Sequence, residues 1–435
     1  MKYEFLPVNF YIKNRKKITS KLSGKNLALL SSAYQMPRNG DQYYPFRQDS
    51  DFFYLTGIDQ ENAKLILAPE HPDEKMREIL FVMPTSEKTK VYEGEKITLS
   101  QAKDISGIQT VYTTDQFKPI LRKLLLDHEG VYLNLPENKG FRPDVLFPSE
   151  TLAKEIKNNY PGHHVHRLAS ILKSLRLVKE KVEIERMQYA CDITEKAFRR
   201  ILQFVKPGIT EYQVEAEMTH EFLWNRATGH AYPPIIASGR DACVLHYIKN
   251  NKECEDGDLL LMDFGAEFAN YAADVTRTIP VNGRYSKRQK ECYEAVLKVQ
   301  KECIGMLQPG KSIKEVNDWV DKKLEEVHLQ LGLYTKKDLE KQDPKKPLRK
   351  KYSPHGTCHF IGLDVHDVGD LTTTLEEGMV LTCEPGIYIE EEGFGVRIED
   401  NIVVSQKPQN LTSNIPKEAD EIEQLMIEKI VGTQE

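Results

Sequence analysis

The feature that most constrains this chain is a set of five potential metal ligands scattered through its C-terminal half. Each lies in a short segment that reads as a β-strand or as the turn at its end: Asp263, Asp274, His359, Glu384 and Glu399. Four carboxylates and one imidazole suit a pair of Mn²⁺-like ions better than a single tetrahedral Zn²⁺. Two such ions about 3.5–4 Å apart can hold a hydroxide and hydrolyse a substrate. The set therefore indicates a fold that brings distant strand ends together around a two-metal hydrolytic centre.

The first two ligands lie within residues 259–277, which read as two strands joined by a short connection. If Asp263 and Asp274 were cross-strand neighbours, their β-carbons would lie about 4.5–5.5 Å apart. Carboxylates at that distance repel each other, and a divalent cation removes the repulsion. In the alternative, Asp263 only ends a strand and Asp274 only caps a turn. These two residues alone leave both interpretations open.

Three of the chain's 12 histidines fall within residues 354–367. His355 and His359 share parity, so an extended strand would place them on the same face, and His366 follows seven residues later. A lone histidine is more often a satisfied structural residue, but three histidines interleaved with glycines indicate a functional site.

Arg397 precedes Glu399 by two residues, so a strand would place both on one face with Ile398 behind them. An arginine beside a metal-binding carboxylate is typical of a clamp that orients an acidic ligand. The alternative is an exposed edge strand that carries a surface ion pair. As an ordered set, the five ligands and this arginine favour the metal site.

Composition excludes several classes of function. A net charge of −6 and a pI near 6.1 give no reason to expect a nucleic-acid or anionic-membrane partner. The basic residues 335–351 read as a solvated loop, because no aromatic residues are interleaved with them. No apolar run reaches the roughly 18 residues of a membrane-spanning helix, and residues 1–22 lack the apolar stretch of a signal peptide. Seven cysteines without a C-x-x-C pair indicate reduced thiols. We therefore expect a cytoplasmic protein.

The length of 435 residues predicts more than one domain, because a single core rarely grows this large. Residues 1–175 alternate strand-like with helix-like runs, which predicts a small α/β domain. Residues 176–435 combine long helical patterns with short strands and contain all five candidate ligands. The fold class expected for the whole chain is α+β.

The order and spacing of the five ligands resemble the signature of the pita-bread metallopeptidases, which comprise methionine aminopeptidases, prolidases and aminopeptidase P. The string from His355 to Gly369 is similar to the aminopeptidase P and prolidase branch, with a histidine four residues before the ligand and another seven after it. Residues 39–57 resemble the N-terminal domain of bacterial aminopeptidase P. The resemblance implies a pita-bread catalytic domain over residues 176–435, preceded by an aminopeptidase P-like α/β domain over residues 1–175.

The resemblance also implies a ligand scheme and a cofactor. Asp274 and Glu399 would bridge two divalent ions, Asp263 would chelate one ion, and His359 with Glu384 would bind the other. The implied ions are Mn²⁺, with Co²⁺ or Zn²⁺ as alternatives.

Further residues would act on the substrate. Glu384 would transfer protons, and His246 or His366 would hydrogen-bond the oxyanion. Arg397 would orient a ligand near the metals. His355 would order the pocket, which Tyr388 would help to line.

The reaction implied is release of the N-terminal residue from peptides with proline in second position. That bond is a tertiary amide without an N–H, so proteases that grip the substrate as a β-strand lose a donor there. A metal pair avoids this difficulty by polarising the carbonyl and supplying hydroxide. The partner is then a peptide substrate, and the resemblance implies a homodimer or homotetramer.

Two alternatives remain. A prolidase would cut only Xaa-Pro dipeptides and would need a basic clamp for the product carboxylate. An inactive peptide-binding module would keep the fold but lose ligands, and this chain has lost none of the five.

Overall fold

The computed structural model describes residues 3–137 and 146–432, which divide into two compact units. One unit is Glu4–Arg176, and the other begins at Leu177 and also includes Tyr3. The division lies next to the boundary expected between residues 175 and 176. None of the helices within the described ranges combines the length and the apolar character needed to cross a membrane.

The N-terminal unit alternates strands with helices, as its sequence pattern predicts. Its strands are β1 (Asn26–Ser31), β2 (Pro37–Asn39), β3 (Gln42–Tyr43), β4 (Lys64–Leu67), β5 (Glu78–Val82), β6 (Thr110–Thr113), β7 (Gly130–Leu133) and β8 (His164–Arg167). Its helices are α1 (Val8–Thr19), α2 (Ser50–Thr56), α3 (Glu87–Glu93), α4 (Leu99–Ser106), α5 (Phe117–Asp127), α6 (Pro148–Asn159) and α7 (Ala169–Arg176).

The main sheet of this unit is mixed, with strand order β6-β5-β4-β1-β7-β8. Strand β1 pairs antiparallel with β4 and parallel with β7. Every residue of β1 is buried, as expected for a central strand whose sheet is covered on both faces. Leu27, Leu29 and Ile66 from the sheet pack with Leu124 of α5 and Leu152 of α6 in one apolar cluster.

The C-terminal unit contains long helices and short strands. Its helices are α8 (Lys181–Phe204), α9 (Glu211–Trp224), α10 (Lys287–Ile304), α11 (Ile313–Gln330), α12 (Lys336–Lys341), α13 (Arg349–Tyr352) and α14 (Ala419–Gly432). Its strands are β9 (Gly229–His230), β10 (Ile235–Ser238), β11 (Leu259–Phe264), β12 (Ala266–Phe268), β13 (Tyr271–Ala272), β14 (Val275–Pro280), β15 (Val380–Cys383), β16 (Gly386–Ile389), β17 (Phe394–Arg397), β18 (Asp400–Val403) and β19 (Gln409–Asn410).

The strands of the C-terminal unit form short antiparallel ladders, with strand orders β10-β11-β14, β13-β12-β9, β15-β18-β19 and β16-β17. Each candidate ligand except His359 lies in one of these ladder strands or directly beside its end. The long helical patterns expected within residues 176–435 are confirmed as α8, α9, α10 and α11.

The first of the two strands expected within residues 259–277 breaks at Gly265, between β11 and β12. A β-carbon on Gly265 would lie 1.8 Å from the carbonyl oxygen of Ala273, so only glycine allows this approach. The facing strand breaks at Asp274, whose backbone N–H and carbonyl bond the side-chain amide of Asn401 at 3.1 and 2.5 Å. A side chain thus supplies the hydrogen bonds that a continuous ladder would have made.

The expectation of an extended strand through His355 and His359 is wrong. This segment is irregular, and its described ladder contact is an isolated bridge between Phe360 and Leu381. The parity argument therefore does not apply to the two histidines. Their positions depend on bonds to neighbouring segments, such as that from the backbone N–H of Thr382 to the carbonyl of His359 at 2.9 Å.

A buried ion pair ties the histidine segment to the start of α8. The Nζ of Lys179 lies 2.8 Å from Oδ2 of Asp367, and the two side chains are 2% and 1% exposed. Asp367 directly follows His366, and its backbone N–H donates to the carbonyl of Phe360 at 2.9 Å. Removing one partner of such a pair leaves an uncompensated buried charge.

We expect Lys179→Met to lower the free energy of unfolding by about 3–5 kcal/mol, because Asp367 loses its cation. Urea denaturation measures the change. The matched control is Lys181→Met, whose side chain is 90% exposed and faces Glu185 at 3.8 Å; that surface pair should contribute less than about 1 kcal/mol. Adding Asp367→Asn to Lys179→Met should recover part of the loss. If Lys179→Met and Lys181→Met were equally stable, the buried pair between Lys179 and Asp367 would not stabilise the fold as described.

Candidate metal centre

The structure brings nine of the predicted site residues to one cavity of about 570 Å³ in the C-terminal unit, whereas Tyr388, expected to line the same pocket, is not among its lining residues. The lining includes the five candidate ligands and also His246, His355, His366 and Arg397. These residues come from segments that lie more than 150 positions apart in the chain. Their convergence is the main geometric finding at this site.

Asp263 and Asp274 share one face of the β11–β14 ladder but are not directly opposite each other. The register places Thr276 opposite Asp263, so Asp274 is a diagonal neighbour. The hydroxyl of Tyr232 lies 2.5 Å from Oδ1 of Asp263 and 2.6 Å from Oδ1 of Asp274. A phenol carries one hydrogen and can donate to one carboxylate at a time. The tyrosine therefore brings the carboxylates together without neutralising both.

His359 presents its Nε2 atom to two carboxylates, at 3.4 Å from Oδ2 of Asp274 and 3.6 Å from Oε1 of Glu384. Its Nδ1 atom lies 3.0 Å from the carbonyl oxygen of Phe360. A carbonyl can only accept, so Nδ1 carries the hydrogen and Nε2 is left as the ligand atom. The geometry prepares His359 to bind a metal through Nε2.

Glu399 lies between β17 and β18 and is 1% exposed. Atoms of Asp274, His359 and Glu399 lie within 4.8 Å of one another and could hold a single ion. Thr276 donates to Oε2 of Glu399 at 2.7 Å, and the backbone N–H of Glu399 donates to the carbonyl of Thr276 at 3.0 Å. These two bonds hold the carboxylate against β14.

Arg397 is 3% exposed, which excludes the alternative of a surface ion pair on an edge strand. Its Nη2 donates to Oδ2 of Asp263 at 2.7 Å, and its Nε donates to Oγ1 of Thr276 at 2.9 Å. The arginine thus contacts Asp263 directly and reaches Glu399 only through Thr276. It orients the side chain of one acidic ligand and the hydroxyl that holds another.

A hydrogen-bonded chain continues from Arg397 to His355. The hydroxyl of Tyr388 accepts from Nη1 of Arg397 at 2.7 Å and lies 2.7 Å from Nε2 of His355. Nδ1 of His355 lies 2.7 Å from the carbonyl of Gly356, so Nδ1 is the donor and Nε2 accepts from Tyr388. Burial and the charge of Arg397 lower the pKa of His355 to about 4. The imidazole is therefore neutral near pH 7.

Burial favours the protonated form of three of the carboxylates in the absence of cations. Burial raises the pKa of Asp263 to about 6, although Arg397 opposes the shift, and raises the pKa of Glu384 to about 7. Burial and the other carboxylates raise the pKa of Glu399 well above its usual value. Burial lowers the pKa of His359, but Asp274 and Glu384 outweigh it and raise that pKa to about 9. Divalent cations would supply the missing positive charge, so the donor set fits them.

Sequence reasoning missed three residues that build the site: Tyr232, Thr276 and Asn401. None belongs to a recognisable ligand pattern, because each forms hydrogen bonds with a candidate metal ligand that lies in another segment of the chain. The β10–β11 register, which places Ile235 opposite Asp263, is what brings nearby Tyr232 to the carboxylates. The pairing of β10 with β11 arises only in the folded chain, so the sequence alone did not indicate Tyr232.

Comparisons with known proteins agree over nearly the whole chain. The family model described as metallopeptidase family M24 matches residues 185–406, and the model of the aminopeptidase P N-terminal domain matches residues 11–132. An Xaa-Pro aminopeptidase of Haemophilus influenzae is 37% identical, over 97% of this chain and 98% of its own length. An Xaa-Pro aminopeptidase of Escherichia coli is 33% identical, over 95% and 97%.

A solved structure is similar over the same extent. Zinc-substituted E. coli aminopeptidase P in complex with product matches with a TM-score of 0.87 and 30% identity. The match covers 98% of this chain and 99% of that one.

Metal binding at this centre should release protons and should weaken as the pH falls. The ligands bind as carboxylates, and the pKa of Glu384 near 7 and that of Asp263 near 6 mean that both carry protons in acid. His359, with a pKa of about 9, must also lose the proton on Nε2, so affinity for Mn²⁺ should fall gradually below about pH 9 and more steeply from about pH 7 towards about pH 5.5.

Isothermal titration in two buffers of different ionisation enthalpy counts the protons released. More protons should leave per ion at about pH 6 than at about pH 8. A heat of binding that is the same in both buffers at the lower pH would contradict the assignment.

Proposed function

This chain belongs to metallopeptidase family M24, and we propose that its cavity hydrolyses the bond between an N-terminal residue and a following proline. The observation that carries this proposal is the convergence of four carboxylates and one imidazole on a single cavity wall. The chain is a hydrolase with the activity of an Xaa-Pro aminopeptidase, as its similarity to these enzymes over nearly its full length supports.

The resemblance inferred from the motifs is confirmed, and so is the fold class. An aminopeptidase P N-terminal domain precedes a C-terminal pita-bread domain with mixed helices and strands. We propose that these domains span residues 1–175 and 176–435. The compact units that meet at Arg176 and Leu177 support this division.

We propose that Asp274 and Glu399 bridge two divalent ions, with Asp263 on one ion and His359 and Glu384 on the other. The mutual distances within 4.8 Å among Asp274, His359 and Glu399 support the shared position. When bound, such ions polarise the scissile carbonyl and make hydroxide available at neutral pH. Mn²⁺ suits the oxygen-rich donor set, with Co²⁺ and Zn²⁺ as alternatives.

We propose that Glu384 moves the proton of the reaction. Its Oε1 lies near His359, while its Oε2 lies 3.8 Å from Nδ1 of His355 at the cavity wall. The carboxylate can accept a proton from the attacking water and return it to the basic prolyl nitrogen as that nitrogen leaves.

His246 and His366 are exposed at the cavity and can donate hydrogen bonds to the oxyanion. Burial and the neighbouring His359 lower the pKa of His366, so its imidazole is neutral near pH 7 and has one N–H to offer. The Arg397–Tyr388–His355 chain acts differently: it holds a neutral imidazole in place and orders that side of the pocket.

The cavity lining also includes apolar side chains that suit a proline ring. They are Pro233, Ile235, Leu245, Ile248 and Val365. The free amine of the substrate would bind near the acidic side, at Asp263. Recognition of an amine on one side and a compact ring on the other explains cleavage after the first residue.

The prolidase alternative is not favoured. A dipeptidase needs a cationic clamp for the product carboxylate, and among the lining residues of this cavity Arg397 is the only Lys or Arg. Its guanidinium already donates to Asp263, Thr276 and Tyr388. A cavity without such a cation can accept peptides that continue beyond the proline.

Substrate length distinguishes these activities. With Mn²⁺ added to the full chain, Ala-Pro-Ala should be cleaved to alanine and Pro-Ala at least tenfold faster than Ala-Pro is cleaved, whereas Ala-Ala-Ala should be a poor substrate. Amino-acid release measured by chromatography gives all three rates. Cleavage of Ala-Pro alone would overturn the proposal in favour of a prolidase, and no cleavage of any peptide would overturn it in favour of a binding module.

His366→Ala should lower kcat by about 10²–10³ with little change in KM, because an oxyanion donor acts mainly in the transition state. The matched control is His220→Ala, an exposed histidine of α9 that does not line the cavity. Steady-state kinetics on a proline peptide measure both variants. An effect confined to KM would contradict the assigned role.

We propose a cytoplasmic location and a homodimer or homotetramer. The free state of all seven cysteines supports a reducing compartment. Sedimentation of the purified chain tests the oligomer.

A further inference from the structure

A cluster of three cysteines lies beside the metal centre, and the proposed reaction does not use it. We call Cys303, Cys358 and Cys383 the cysteine trio. Cys303 lies in the last turn of α10, Cys383 ends β15, and Cys358 precedes the ligand His359. Their sulfur atoms lie within 4.8 Å of one another, and their exposed fractions are 0%, 5% and 0%. Three distant segments thus bring soft donor atoms to one buried point.

The spacing of the trio fits a single soft metal ion. With metal–sulfur bonds of about 2.3 Å, a trigonal ion holds three sulfurs about 4.0 Å apart. Zn²⁺ at a structural site requires a fourth ligand, and within the described residues this donor group consists of the three thiols alone. Thiol sulfur favours soft ions such as Cu(I) over the hard ions that suit the neighbouring carboxylates.

We propose that the cysteine trio is a binding site for one Cu(I) ion. The thiol of Cys303, which adjoins no proposed metal ligand in the chain, loses its proton to solvent, and its thiolate forms the sulfur–copper bond. The sulfurs of Cys358 and Cys383 keep their protons and contact the ion through lone pairs. No electron is transferred, and the net charge of the buried site stays the same because Cu⁺ replaces H⁺. Charge conservation matters here, since an uncompensated charge among buried side chains is costly.

One member of the trio borders the substrate cavity. Cys358 lines that cavity together with the candidate ligands, whereas Cys303 and Cys383 are fully buried and do not line it. An ion that enters from the cavity would therefore meet Cys358 first. The thiol of Cys383 faces the carbonyl of Gln300 at 3.7 Å, a weak contact that opposes little rearrangement.

Binding at the trio should disturb the metal centre, a consequence that rests on the proposed function. Cys358 and Cys383 directly precede His359 and Glu384 in the chain. Backbone bonds of 2.9 Å from Thr382 to His359 and 2.8 Å from Glu384 to Thr357 hold the two segments side by side. Drawing the sulfurs together around an ion shifts both segments, so Cu(I) should inhibit peptide hydrolysis.

The binding test measures Cu(I) directly and needs no enzymatic activity. Cu(I), added under argon as its acetonitrile complex, is titrated into the metal-free full chain in competition with the chromophoric chelator bicinchoninate. The wild type should retain one ion that Cys303→Ala does not retain. The control is Cys292→Ala, which removes another fully buried thiol of α10 outside the trio and should bind as the wild type does.

Cys303→Val provides a second variant of similar volume, so loss of binding is not confused with loss of folding. X-ray absorption of the loaded wild type should show a shell of sulfur atoms around copper. Full retention of the ion by folded Cys303→Ala or Cys303→Val, or a shell of nitrogen and oxygen, would overturn the site.

The inhibition test uses peptide hydrolysis with Mn²⁺ present. The rate of the wild type should fall in proportion to the Cu(I) bound, and the rate of Cys303→Ala should stay unchanged at the same Cu(I) concentration. Equal inhibition of both proteins would place the effect at the catalytic ligands and overturn the coupling. A chain that binds Cu(I) at the trio but never cleaves a peptide would refute the proposed function alone.

Discussion

The structure of the C-terminal unit depends on keeping four carboxylates close together in a largely buried cavity. Asp263, Asp274, Glu384 and Glu399 share one wall, and the cationic groups that contact them there are Arg397 and His359. Burial and mutual repulsion raise the pKa values of three of these acids, so the unloaded centre holds protons that divalent cations would displace. The chemistry of the site follows from this deficit of positive charge.

The surrounding fold meets this constraint with short ladders that stop at the cavity. Here β11 and β14 are flanked by breaks at Gly265 and Asp274, and the amide of Asn401 takes up the backbone groups that the break exposes. Thr276 and Arg397 then fix the carboxylates by hydrogen bonds, so the ligands are positioned before any ion binds.

Much of this site could be read from residue types and spacing. The five candidate ligands, Arg397, His355 and His366 stood out by residue type and spacing, because metal chemistry restricts the side chains that can serve, whereas His246 came only from the family resemblance. The long helices were identifiable because their apolar residues repeat with helical periodicity. The pairing of Asp263 with Asp274 and the strand through His355 and His359 were not, since register and irregular backbone depend on partners elsewhere in the chain. Tyr232 escaped notice for the same reason, because no local pattern marks a hydroxyl that bridges two distant acids.

The sequence by itself determined which groups are available: a hard, oxygen-rich donor set, the histidines near it, and a family signature that spans the chain. Only the tertiary structure decided which of these groups meet, which nitrogen of His359 is left for a metal, and which carboxylate Arg397 contacts. It also decided that three cysteines far apart in the chain share one point beside the cavity. The physical reason is that donor chemistry belongs to single side chains, whereas distance and hydrogen-bond direction arise only from packing between remote segments.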